Sequence, residues 1–160
     1  MVRSLSLVLG MVVVVFFFAQ PPGSDAKRLR LVDPSGDLKA FAQANPGVAV
    51  PGRLPAGWRP TVTDYRVGDE RIRVGWVTPG GQYAEYAAST GPVAAFVREI
   101  TDAAGPAGPV DIGGGSWTSY RKDKALSLVR TYGRATVVLG TLRDSASLAE
   151  LRVLAGSLAG

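Results

Sequence analysis

At 160 residues, 46% of them apolar and 19% charged, the chain has room for one ordinary globular domain and a small appendage. It holds no cysteine and no histidine. That excludes a disulfide framework, a thiol nucleophile and an acylated-cysteine anchor, and removes the commonest general base and transition-metal ligand. The net charge is +5 and arginine outnumbers lysine 14 to 4, a bias that a GC-rich genome produces whatever the chemistry.

The chain opens on SLSLVLGMVVVVFFFA, Ser4 to Ala19. Sixteen helical residues span about 24 Å, near the low end for a bilayer core of about 30 Å. Val12 to Phe18 is apolar on every face, so a globular helix is a poor fit, and Pro21 and Pro22 end any helix. Phe17 is too bulky for a small-residue cleavage site, which favours an uncleaved anchor over a cleaved signal. Residues 1–20 are therefore expected to form a transmembrane anchor held in the lipid bilayer through residues 4–19, and residues 21–34 a linker. Lys27, Arg28 and Arg30 after the span outnumber Arg3 before it, a count that places the following domain on the cytoplasmic side.

Residues 35–160 read as an α+β domain. SGDLKAFAQAN predicts a short helix capped by Ser35, with Leu38, Phe41 and Ala42 inward and Pro46 as the stop. LPAGWRPTV leads from a proline-glycine turn into a strand over 59–67. In RIRVGWVT, Ile72, Val74 and Trp76 alternate with Arg71 and Arg73, a half-buried strand, and QYAEYAAS returns after the PGG turn. Pro92 opens a helix with Val93, Phe96, Val97 and Ile100 on one face. GPAGP, 105–109, reads as a break, and IGGGSW as a flexible hinge; it lacks the lysine and the glycine spacing of a phosphate loop. GSWTSYRKD, ALSLVRTY and ATVVLGTL then read as three strands. Ser147 and Glu150 form a capping-box pattern before a last helix whose apolar positions are Leu148, Leu151, Ala155 and Leu158. The expected fold is a short helix and two βββα units, forming a largely antiparallel sheet with its helices on one face.

Three stretches taken together, VRSLSLVLGMVVVV, LPAGW…VGWVTPGGQYAEY and GGSWTSYR…ALSLVRTYG…VVLGT…LAELRVLAGSL, resemble an uncharacterised family of actinobacterial membrane proteins, a domain of unknown function. The resemblance covers nearly the whole chain. It implies one helix near the amino terminus followed by an extracytoplasmic domain, against the local charge count. It brings no catalytic residues. More loosely, the LPAGW block and the carboxy-terminal segment are similar to extracytoplasmic sensor-like domains of some membrane-bound regulators.

No catalytic, cofactor-binding or metal-ligating residue stands out. Glu85, between Tyr83 and Tyr86, is expected to be solvated or bonded to tyrosine, the alternative being a buried acid. Asp69 and Glu70 belong to a turn, Ser116 and Ser119 have no histidine to activate them, and Lys122 and Lys124 read as an exposed hairpin turn. The basic residues Arg66, Arg71, Arg73, Arg121, Lys122, Lys124 and Arg130 are the candidate binding surface, able to hold an anionic lipid or polymer of the envelope. The bland alternative is that they solvate a sheet face. Nucleic acid is not an expected partner: there is no recognition helix or stacking motif. Trp58 and Trp117 are expected at equivalent places at the starts of the two units, packed on a core shared with Trp76, Ile72 and Val74; the alternative is an exposed ligand platform.

The reading that follows is a membrane-tethered, non-enzymatic binding module of the cell envelope, using no cofactor. Its rival is a carboxylate-dependent envelope enzyme such as a glycan hydrolase, which needs two carboxylates set apart across a cleft. A third reading is a structural subunit whose sheet face docks on another membrane protein.

Overall fold

A computed structural model describes residues 31–68, 70–140 and 146–159, and Leu31 to Gly160 form one compact unit. The anchor expected over 1–20, most of the linker, and Asp69 lie outside the described residues. Among the described residues no helix is long and apolar enough to cross a membrane.

The fold is α+β. In chain order come α1 (Ser35–Ala44), β1 (Val50–Pro51), β2 (Arg59–Arg66), β3 (Arg71–Val77), β4 (Tyr83–Ser89) and α2 (Val93–Ile100). Then follow β5 (Gly105–Ile112), β6 (Gly115–Lys122), β7 (Ala125–Tyr132), β8 (Ala135–Leu139), α3 (Leu148–Gly156) and β9 (Leu158–Ala159). Seven strands make one antiparallel sheet in the order β2-β3-β4-β8-β7-β6-β5, and β1 pairs with β9 separately.

Successive residues of a strand point to opposite faces, so the register sorts the core. Ile72, Val74, Trp76, Tyr86, Trp117, Leu126, Leu128, Val137 and Leu139 form one face, covered by Leu38 and Phe41 of α1 and Leu151 and Leu154 of α3. We call this the near face. Ala87, Val129 and Val138 point the other way, under Phe96, Val97 and Ile100 of α2. The helices therefore do not share one face. The chain leaves β4 in the middle of the sheet and resumes at β5 on the edge, so α2 carries it across the far face over β8 and β7. The near face is already filled by α1 and α3.

The second unit has four strands, not three. GPAGPVDI, expected as a break, is the edge strand β5, paired with β6 from Gly105↔Arg121 to Ile112↔Gly115. Two prolines are tolerated because an edge strand has one unpaired side, and the register shifts between Pro106 and Gly108. Gly113 and Gly114, both at positive φ, then form a two-residue hairpin turn. The IGGGSW stretch is thus a tight turn inside the unit and not a hinge between repeats.

Two smaller expectations also shift. Ser35 is the first residue of α1 and not its cap; its N–H donates to Asp33 Oδ1 at 3.0 Å. The capping box of α3 is present, Glu150 N–H donating to Ser147 Oγ at 3.3 Å and Ser147 N–H to Glu150 Oε2 at 2.9 Å. That helix ends at Gly156, however, so Leu158 sits in β9 against Pro51, and Leu154 takes the buried position.

Candidate functional site

The expected basic surface is divided by the sheet. Arg66, Arg71, Arg73 and Lys122 project from the far face, and Arg121 and Arg130 from the near face, because their register partners Leu126 and Val137 both belong to the near-face core. Four of the six have acidic partners. Arg66 Nε donates to Asp64 at 3.2 Å and Lys122 Nζ to Asp102 at 2.6 Å. Arg71 holds Glu99 of α2 with two hydrogen bonds of 2.9 and 2.7 Å, its guanidinium 5.3 Å from the Phe96 ring centre. This clamp holds the Glu99 carboxyl below its ordinary range.

Arg73 makes the deepest of these pairs. Its Nε and Nη2 donate to the two oxygens of Glu85 at 2.8 and 3.0 Å, and the Tyr83 hydroxyl donates to Glu85 Oε2 at 3.1 Å. Glu85 is 2% exposed. Hydrogen bonding to Glu85 raises the Arg73 pKa against the effect of burial, and burial with the neighbouring carboxylate pushes the Tyr83 hydroxyl up. Gly75 makes room for this cluster: a Cβ there would coincide with the Tyr83 hydroxyl. Glu85 is thus tyrosine-bonded and arginine-bonded together, and both its oxygens are engaged. Among the described residues no cluster of three acidic residues is placed to hold a metal ion.

Arg121, Lys122 and Lys124 at the β6–β7 turn line a cavity of about 870 Å³ with Gly81, Gln82 and Ser147. Arg121 and Lys124 are exposed.

Arg130 is different. It is half-buried, and among the described residues no carboxylate pairs with it. Two aromatic rings hold it instead. Its guanidinium carbon lies 4.7 Å from the Tyr132 ring centre and 6.0 Å from that of Trp117, and these rings meet edge to face at 6.2 Å. Burial pushes the Tyr132 hydroxyl up and the Arg130 charge pulls it back. Gly115 is the seat of the guanidinium, because a Cβ there would coincide with Nη1. The triple glycine therefore has two jobs: Gly113 and Gly114 turn the chain and Gly115 admits Arg130.

This arrangement opens on a cavity of about 290 Å³ lined by Gly47, Ala49, Ile112, Gly113, Trp117, Arg130, Tyr132, Ala155 and Leu158. The wall is braced from below, where the buried Tyr86 hydroxyl donates to the Ala49 carbonyl at 3.1 Å. A guanidinium over a ring face can still donate in its own plane, and Arg130 lines this cavity. Sequence reasoning included Arg130 only as one basic residue among several and missed its cage. The signal was the spacing of Gly115, Trp117 and Tyr132 around it, legible only once β6 and β7 are paired.

The three tryptophans all lie on the near-face core. Trp76 and Trp117 are buried, at 4% and 2% exposure, and Trp58 is half-buried against the same cluster. Trp58 precedes the edge strand β2, whereas Trp117 lies within β6, one strand in from the other edge. Their places are therefore not equivalent.

No curated protein and no solved structure matches the chain. One family model matches residues 1–158, and the chain belongs to that family, described as a protein of unknown function (DUF4245).

Proposed function

We propose that the protein is a membrane-tethered, non-enzymatic binding domain held outside the cytoplasmic membrane, whose ligand docks at the Arg130 cavity. The observation that carries this reading is the caged guanidinium lining that cavity, which no carboxylate of the described residues pairs. A half-buried cation without a counter-charge is costly to keep, and a ligand anion would supply the missing partner. The apolar run before residue 20 supports the tether, and the resemblance of the whole chain to membrane proteins supports the extracytoplasmic side. The partner is then an anionic component or protein of the envelope.

The test is photocrosslinking in intact cells. A photoreactive residue at the exposed Arg134, two residues from Tyr132, should capture a partner. The same residue at the exposed Arg98, on α2 across the sheet, should not. Equal capture at both positions would overturn the site. A phosphatase fused after Gly160 that is active only in its cytoplasmic form would overturn the topology.

A further inference from the structure

We infer that the Arg130 cavity binds a small carboxylate, gripped bidentately by the guanidinium. This rests on the reading that the ligand docks at that cavity. Three features narrow the chemistry. Among the described residues Arg130 is the only cation lining the cavity, so the charge it offers matches a monoanion, whereas a phosphate dianion calls for further cations or a helix N-terminus. The donor fork of an arginine matches the two coplanar oxygens of a carboxylate. The remaining side chains, those of Ala49, Ile112, Ala155 and Leu158, add no further charge, and Gly47 and Gly113 add only backbone, so the cavity suits a short uncharged body behind the carboxylate.

Size agrees. About 290 Å³ is the volume of about ten waters at about 30 Å³ each, at the lower end of ligand pockets. The guanidinium is also preorganised. Trp117, Tyr132 and Gly115 surround it before any ligand arrives, so less side-chain freedom is lost on binding.

The experiment is an NMR titration of the full chain in detergent micelles, following the Trp117 indole N–H and the Arg130 Nε–H. The probes are butyrate, its neutral analogue butyramide, and inorganic phosphate. Saturable shifts with butyrate and none with butyramide are expected. Arg130→Gln should weaken butyrate about ten- to hundredfold, the worth of a charge-assisted pair. Arg130→Lys, which keeps the charge without the fork, should fall between. If Arg130→Gln loses the native spectrum, the lysine variant decides: butyrate binding unchanged by it would overturn the bidentate grip. Arg130-dependent binding of phosphate in place of butyrate would overturn the carboxylate and leave the docking site standing. No Arg130-dependent shift with any probe, together with equal crosslinking at Arg134 and Arg98, would overturn both.

Discussion

Arg73 and Arg130 are both half-buried arginines in the middle of paired strands, yet they are held in opposite ways. Arg73 is neutralised by a buried carboxylate that takes both of its donated hydrogen bonds. Arg130 lies over the rings of Trp117 and Tyr132, and no carboxylate of the described residues pairs with it. The difference teaches how to tell a structural arginine from one offered to a ligand. Removing the first strands a buried anion; removing the second strands nothing.

Substitutions sharpen that contrast. The largest loss is expected from Trp117→Ala, which empties the near-face core and removes one wall of the Arg130 cage. Burial of this size is worth about 3–5 kcal/mol, read as a lowered melting temperature by circular dichroism. Next is Arg73→Met. It leaves Glu85 buried and unpaired, and breaking a buried pair costs about 3–5 kcal/mol. The Arg73 side chain is still 40% exposed, so the low end is expected. Melting curves at neutral pH check this, and an unchanged midpoint would refute the structural role of the pair.

The glycine seats come third. Gly75→Ala and Gly115→Ala each force a side chain from its place, an overpacking cost of about 1–3 kcal/mol. Their consequences should part: both lower the melting temperature, but only Gly115→Ala displaces Arg130 and weakens butyrate. Equal effects of the two on butyrate would break the comparison.

Arg130→Gln should cost least among the core changes, about 0.5–1 kcal/mol for the lost cation–π contact, because it uncovers no buried charge. A loss as large as that of Arg73→Met would mean that Arg130 is a structural residue.

The smallest effect concerns pH. Arg71 depresses the folded-state pKa of Glu99, so the stability this carboxylate adds is complete above its ordinary value of 4.5. It is lost as pH falls through the lower folded value. Glu99 is exposed, and such pairs are worth about 0.2–1 kcal/mol. Glu99→Gln should lower stability at neutral pH by no more than this amount and leave it unchanged below the folded pKa of Glu99, which flattens the acid limb of the stability–pH profile slightly. A larger change at neutral pH would show that the clamp on α2 does more than pair two surface charges.

Local order was legible in the sequence. The alternation of Ile72, Val74 and Trp76 predicts β3, the spacing of Phe96, Val97 and Ile100 predicts the buried stripe of α2, and Ser147 with Glu150 predicts the cap of α3. Each depends on residues within about one turn or one pleat of each other, which is the range over which periodicity and capping act.

The rest was decided by tertiary structure. Prolines at 106 and 109 disqualify a central strand but not an edge, and only the strand order makes β5 an edge. The amphipathic stripe of α2 says that one face is buried, not against which side of the sheet; the crossing from β4 to β5 settles that. The fate of each arginine was equally hidden. Arg71 finds Glu99 28 positions away and Arg73 finds Glu85 12 away, while Arg130 meets Gly115, Trp117 and Tyr132 because β6 and β7 lie side by side. Composition sets how many charges a chain carries. Which of them are neutralised and which stay open to a partner depends on strand register, because Coulomb attraction and hydrogen bonding act over ångströms in space and take no account of distance along the chain.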